Sequence, residues 1–436
     1  PMERLYHHLW KYRMFGRRLR LADGRRVEVI DPGLPNNGAG PDFFNSKIRI
    51  ADGEEWAGNV EIHVKASDWF RHGHDKDTAY DSIILHVVAA SDCRVNRRDG
   101  SVIPQVEVIL PPELYSAYSR LHTDLDAVRC EHGLRTLPQL TVIDWLESLA
   151  IERLQTRASN VMRIFALTGN DWQQTCFVIL ARAMGFGLNG DPFELTALSL
   201  PLRIMARHSD NPLQLEALLF GQAGMLDTSQ HILDDRYQLL CREYYFLARK
   251  YGLKPLRCDM WKYARTRPQN MPHRRLAMLA RACEGGFSML RTLLDCKGDP
   301  ELLTPLFGWK LEGYWATHQS FDTDESSAPA KLSQASIRLL MINAVAPLYY
   351  AYGMHIGNPD MAELALDLLE ALPPEQNTII RRWQAAGLSV KSAATSQALL
   401  QLRREYCDKR NCMRCRFSHQ LLRTIITESD KASIYS

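Results

Sequence analysis

The sequence predicts an α/β domain over residues 1–125 followed by a mostly α-helical region over 126–436. Three observations predict it. Alternation of polar and apolar residues, the period of a half-buried strand, is confined to the first 110 positions. From about residue 140 onward, apolar residues recur at three- and four-residue intervals, the period of a helix packed on one side. The composition, 46% hydrophobic and 24% charged over 436 residues, is that of a globular chain with room for more than one core. No apolar run approaches the roughly 18 residues a membrane-spanning helix needs.

In chain order, Leu5 and Leu9 stand one helical turn apart and predict an amphipathic helix over residues 3–10. Arg26-Val27-Glu28-Val29-Ile30 alternates like a strand and stops at Asp31-Pro32-Gly33. A turn-rich stretch over 33–40 comes next. Lys47-Ile48-Arg49-Ile50 and Asn59-Val60-Glu61-Ile62-His63-Val64-Lys65 alternate again. Ser82-Ile83-Ile84-Leu85-His86-Val87-Val88 is nearly continuous in apolar residues and predicts a strand covered on both faces. Gln105-Val106-Glu107-Val108-Ile109-Leu110 predicts a further strand ending at Pro111-Pro112. Beyond 140, helices are expected around Trp145 and Leu154, Leu215 and Leu219, Leu239 and Leu247, and Ala362 to Leu372. Pro, Gly and Asn clusters such as Arg267-Pro268-Gln269-Asn270-Met271-Pro272 punctuate them. Residues 322–329 read as an exposed loop, and Trp309 and Trp315 as core.

The net charge is only +3, but basic residues are concentrated. Residues 1–26 carry eight against two acids, 254–291 nine against two, and 403–423 seven against two. Localised basic stretches beside an acidic remainder suit binding of a polyanion, so nucleic acid is the expected partner, and no membrane is expected. The charged opening segment lacks the apolar core of an export signal, and ten cysteines in 436 residues are too few for a disulfide scaffold. A reducing cytoplasm is therefore expected.

The chemistry-bearing residues of the first region form one constellation. Asp42 ends the turn-rich segment. Glu61, His63 and Lys65 share one face of a predicted strand. Asp42 and Glu61, brought together, can hold Mg²⁺ or Mn²⁺ with part of its water shell, and such an ion supports hydrolysis of a phosphate ester. His63 or Lys65 would orient water or neutralise developing charge. Asp68, Trp69, His72, His74, Asp77, Tyr80 and His86 lie within a short span beyond, with Asp77 and Tyr80 at helical i, i+3 spacing. A small-substrate hydrolase using the histidines is a further reading, without a His-Glu-x-x-His spacing to support it. No Walker A loop, Gly-x-Gly-x-x-Gly turn or nucleophile elbow is present.

At the other end stands Cys407-(x4)-Cys412-(x2)-Cys415. A tetrahedral metal needs a fourth ligand, for which Cys130 is favoured over His419. Zn²⁺ or an iron–sulfur cluster would fit four cysteines. The remaining six, from Cys93 to Cys296, sit in apolar contexts and read as core.

Pro41-Asp42 and Glu61-Ile62-His63 resemble the two motif halves of the PD-(D/E)XK nucleases, with His63 where a lysine is usual and Lys65 displaced by two positions. The resemblance implies a restriction-endonuclease-like mixed sheet with flanking helices and cleavage of DNA or RNA phosphodiester bonds. It also implies an assisting acid at Glu3 on the first helix and accessory roles for Asp77 and Tyr80. The missing lysine keeps a non-catalytic nucleic-acid-binding or scaffold role open. Cys130 with the distal trio resembles the 4Fe–4S staple of some members of that superfamily. Finally, Gly40-Pro41-Asp42-Phe43, Trp56-Ala57-Gly58-Asn59-Val60-Glu61-Ile62-His63, Ser67-Asp68-Trp69, Leu219-Phe220-Gly221-Gln222-Ala223-Gly224 and the cysteine trio resemble a bacterial family known as domain of unknown function 2851.

Overall fold

The computed structural model describes residues 2–36, 38–51, 53, 55–123, 128–227, 232–264, 266–321, 323 and 328–432. The chain divides into two compact units, each assembled from separate stretches. One holds Pro1–Trp145, Arg381–Ser389 and Leu402–Ser436; the other holds Leu146–Ile380 and Val390–Gln401.

The first unit is built on a mixed sheet. Helix α1 (Met2–Lys11) precedes β1 (Val27–Asp31), β2 (Leu34–Pro35), β3 (Phe43–Ile50) and β4 (Glu55–Lys65). After α2 (Asp68–Arg71) come β5 (Ile83–Ala90), β6 (Gln105–Glu107), α3 (Pro112–Thr123) and the one-turn α4 (Glu131–Leu134). The strand order is β1-β3-β4-β5-β6, with β2 also paired to β3. β1, β3 and β4 are antiparallel neighbours, whereas β4-β5 and β5-β6 are parallel. β6 is shorter than the alternation predicts, although Val108 N still bonds Val88 O at 2.8 Å.

One face of the sheet carries Val60, Ile62, Leu85, Val87 and Val106. They bury Leu5, Leu9 and Trp10 of α1, Leu114 of α3, and Leu422 and Ile426 of the C-terminal helix Arg416–Ala432. Each such side chain contributes about 1.5–3 kcal/mol on leaving water. The opposite face carries a smaller apolar cluster of Ala66, Trp69, Tyr80, Ile83, Val88, Val95 and Ile103. That is why β5 is buried along Ile83–Val88, as its near-continuous apolar run predicts.

Two backbone features set the positions of Asp42 and Glu61 on the sheet. Gly58 brings β4 close to the segment entering β5; a Cβ there would stand 2.4 Å from Ile84 Cγ2 and 2.7 Å from Ser82 O. In β3, Asn45 adopts φ 55° and interrupts the register, so Phe43 pairs with Val60 but Ser46 with Gly58. This bulge inserts one extra residue, and since side chains alternate faces along a strand, it switches which residues face the site. Continued by one step, the register sets Asp42 opposite Glu61.

The second unit is helical. Helices form at the periodic segments, as most of Gln139–Leu167, Pro212–Gln222, Asp235–Tyr251 and Pro359–Ala371, among others. Its core includes Phe177, Leu215, Leu218, Tyr244, Leu276 and Trp315, the last as expected. The 322–329 segment falls largely outside the described residues. Among the described residues, no helix is long and apolar enough to cross a membrane.

The basic stretch over 254–291 is not a continuous basic surface. Arg274 and Arg275 are 0% and 1% exposed. Arg274 donates to the carbonyls of Trp315, His318, Ala328 and Pro329 at 2.8–3.2 Å. Arg275 bonds Asn270 Oδ1 at 2.6 Å and stacks on Phe186. Arg257 pairs with Asp259, and Arg281 with Glu284. In 403–423, Arg403 pairs with Asp408, Lys409 with Glu405 and Arg416 with Asp144.

Candidate metal centre

Asp42 and Glu61 are cross-tied. Asp42 N donates to Glu61 Oε2 at 3.0 Å, and Ile62 N donates to Asp42 Oδ2 at 2.9 Å. Asp42 Oδ2 also lies 3.2 Å from His7 Nε2, and that nitrogen is 4.0 Å from Glu3 Oε1. Glu3 is thus at the margin of the site, reached through His7. His7 titrates above its ordinary value: burial opposes this, but the bond to Asp42 and the charges of Asp42, Glu3 and Glu61 outweigh it.

Glu61 is 4% exposed. Burial, helped by the charge of Asp42, raises its carboxyl above the usual range, against the contacts with His74 and the Asp42 backbone. Its Oε1 stands 3.4 Å from His63 Nε2 and 3.3 Å from His74 Nε2. His63 Nε2 is in turn 3.3 Å from His72 Nδ1. Among the described residues, His63, His72 and His74 are the one group of three or more His, Cys, Asp or Glu whose ligand atoms all lie within 4.8 Å of one another. Burial first, and then the imidazoles of His86, His74, His72 and His7, push His63 down to about 2, so it is neutral throughout the physiological range.

The elements explain the convergence. Glu61 and His63 share one face of β4. Parallel pairing aligns Glu61 with His86 and His86 with Gln105, laying a polar row across β4, β5 and β6. The longer helix expected around Asp77 and Tyr80 is replaced by α2 and two single 3₁₀ turns, His74–Lys76 and Thr78–Tyr80. Asp77 is exposed and caps the second turn, accepting from Ala79 N at 2.9 Å. Gly73, at φ 76°, turns the chain so that His72 and His74 both reach His63. Trp69 packs edge-on to His74, and Tyr80 stacks on it at 3.8 Å. The Tyr80 phenol is pushed up to about 12 by burial and by the charges of Glu61 and Asp42.

Of the residues the sequence singles out, the structure gathers Asp42, Glu61, His63, His72, His74, Tyr80 and His86. Lys65 is exposed at the end of β4, and its backbone N bonds Asp68 Oδ2. Sequence reasoning missed His7 and Gln105. His7 carried a signal, standing one turn after Glu3 on the same helix; Gln105 carried none.

The four cysteines also converge. Cys130, Cys407, Cys412 and Cys415 line one small cavity with Leu121, Trp383 and Phe417, all within the first unit. Burial raises each thiol. His419 is turned elsewhere, its Nδ1 3.2 Å from His8 Nε2 and its ring 4.5 Å from Tyr12. Though the thiols share a cavity, no three of their sulfurs fall within 4.8 Å of one another. All ten cysteines are free thiols.

The first unit is thus a six-stranded mixed sheet that carries a carboxylate–imidazole cluster on β4 and the segment after it. The chain belongs to the family described as protein of unknown function (DUF2851), which its residues 3–378 match. The match includes Cys130 and ends before Cys407. No curated protein and no solved structure matches the chain.

Proposed function

We propose that this protein is a metal-dependent hydrolase of phosphodiester bonds, with DNA or RNA as substrate and its reaction centre at Asp42 and Glu61. The observation that carries the reading is the cross-tie between these two residues, which holds two carboxylates side by side at the edge of a histidine-rich pocket. A divalent ion bound there would lower the pKa of water and offset charge on phosphoryl oxygens. Hydrolysis forms one P–O bond from water, breaks the ester P–O bond and leaves a proton on the departing oxygen. The chain supplies the rest. Glu61, fixed by Asp42 N and flanked by His63 and His74, would be held in place as a ligand. His7 holds Asp42 in place and offers a proton at Nε2. Trp69 and Tyr80 wall the pocket and limit water.

A second reading, nucleic-acid binding without cleavage, is favoured by one observation: Lys65, the lysine nearest Glu61 in sequence, lies outside the pocket. The test is incubation of the full chain with single- and double-stranded DNA and RNA in Mg²⁺, Mn²⁺ or Zn²⁺, beside Asp42→Ala. Metal-dependent cleavage lost in the variant supports hydrolysis; binding without turnover under every ion supports the second reading.

The cysteine cavity is read as the seat of a 4Fe–4S cluster. Four thiols lining one cavity also suit a single tetrahedral Zn²⁺, and iron and zinc content separates the two. Free thiols throughout accord with a cytoplasmic location.

A further inference from the structure

We propose that His63, His72 and His74, with Glu61 beside them, bind a borderline first-row transition dication such as Zn²⁺. Gln105, acting through His86, is then a positioning residue that holds His63 in the tautomer the ion requires. The inference rests on the hydrolase reading only for what the ion does there; the ion's identity stands on the donors themselves.

The donor set selects the ion. Imidazole nitrogens suit Zn²⁺ and its neighbours, whereas Mg²⁺ prefers oxygen ligands. Three imidazoles and one carboxylate make a mixed set that Mg²⁺ does not favour.

Three of the donor spacings agree with it, although Glu61 lies outside the 4.8 Å group that the three imidazoles form. With metal–nitrogen bonds of about 2.0–2.1 Å, the edges of a tetrahedron are about 3.3–3.4 Å. His63 Nε2 to His72 Nδ1 is 3.3 Å, Glu61 Oε1 to His63 Nε2 is 3.4 Å, and Glu61 Oε1 to His74 Nε2 is 3.3 Å. All three exceed the usual span of a good hydrogen bond. His74 Nε2 is buried and makes no well-aligned hydrogen bond in spite of its carboxylate neighbour. An imidazole nitrogen left beside a carboxylate without a well-aligned bond is what a ligand atom looks like when its ion is not present.

A chain of fixed protons leads into the cluster. Gln105 Nε2 donates to Ser91 Oγ at 2.6 Å and to Cys93 O at 3.1 Å. A carbonyl can only accept, so the Gln105 amide is locked with Oε1 toward His86 Nδ1, 3.3 Å away. That oxygen needs a proton on His86 Nδ1, which leaves His86 Nε2 as an acceptor. His63 Nδ1, 2.8 Å from it, must then carry the hydrogen. The lone pair of His63 is left on Nε2, the atom that faces Glu61, His72 and His74. Such an outer partner orients a ligand and is worth about 10–100-fold in metal affinity. His86 and His63 are 0% and 2% exposed, so water does not scramble the assignment.

The test uses the full chain, stripped with chelator and dialysed against Zn²⁺, with bound zinc measured by elemental analysis. Wild type and His72→Ala are compared; His72 is exposed, and circular dichroism verifies its variant's fold. Wild type should bind one zinc more per chain than His72→Ala, which cancels any zinc taken by the cysteines. Millimolar Mg²⁺ should not displace it. Gln105→Leu should weaken that zinc about 10–100-fold; a merely structural Gln105 would lower the melting temperature and leave affinity alone. Equal zinc content in wild type and His72→Ala overturns the inference, even where Mg²⁺ supports cleavage that depends on Asp42. Zinc bound as described without cleavage of any ester upholds it and sinks the hydrolase reading instead.

Discussion

Asp42 and Glu61 each bond the other's stretch of backbone: Glu61 accepts from the Asp42 amide, and Asp42 accepts from the amide next to Glu61. Two carboxylates are expensive neighbours, since each raises the cost of ionising the other. Backbone amides offset part of that cost, and His7 Nε2, 3.2 Å from Asp42 Oδ2, offsets more when protonated.

Asp42→Ala should therefore remove cleavage activity by about 10²-fold or more while leaving the fold intact, because Asp42 is partly exposed where the chain enters β3. Lys65→Ala, at the exposed end of β4, should leave activity unchanged. Initial rates on a fluorescent oligonucleotide check both; a Lys65→Ala loss matching that of Asp42→Ala would refute the placement of the site.

Gly58→Ala should destabilise the first unit by about 1–3 kcal/mol. Its Cβ would collide with Ile84 Cγ2 at 2.4 Å and with Ser82 O at 2.7 Å, and one of those partners is backbone. Denaturant unfolding measures it; a wild-type midpoint would contradict the close approach.

Protein purified anaerobically should be brown, with visible charge-transfer absorption and matching iron and sulfide content. Cys412→Ser should lose the colour, since Cys412 lines the shared cavity. Stoichiometric zinc in place of iron would assign the cavity to a single ion.

His273 makes a pH prediction. It is 8% exposed among Phe220, Tyr263, Trp315 and Phe321, its Nδ1 has no partner, and burial pushes it down to about 4. Its folded value lies below its unfolded value of about 6.5, so the unfolded chain binds the extra proton between these limits. Stability is full above about pH 6.5 and falls as pH drops toward 4, by up to about 3 kcal/mol. His273→Leu should make unfolding free energy less steep against pH across that window, with His8 and His86 carrying the remainder; an unchanged slope would contradict the assignment.

The strands were legible in the sequence because Val27, Val29, Ile48, Ile50, Val60 and Ile62 alternate with polar neighbours, and burial on one face demands that period. The pairing of Asp42 with Glu61 was readable from motif spacing. The closeness of His72 and His74 to His63 was not, because it depends on Gly73 and two 3₁₀ turns whose geometry spacing does not encode. Gln105 was invisible for a stronger reason: its role exists only through the register of three parallel strands. Counting charge misread 254–291, since Arg274 and Arg275 look the same in sequence whether they face water or four carbonyls.

The bulge at Asn45 carries a consequence for how this chain tolerates change in length. Because parity along β3 decides whether a side chain meets the pocket or the apolar layer, single-codon losses or gains between Asp42 and Ser46 should abolish function, and paired ones should be survivable. The turn-rich stretch just upstream is under no such arithmetic, so indels should accumulate there and stop abruptly at Pro41.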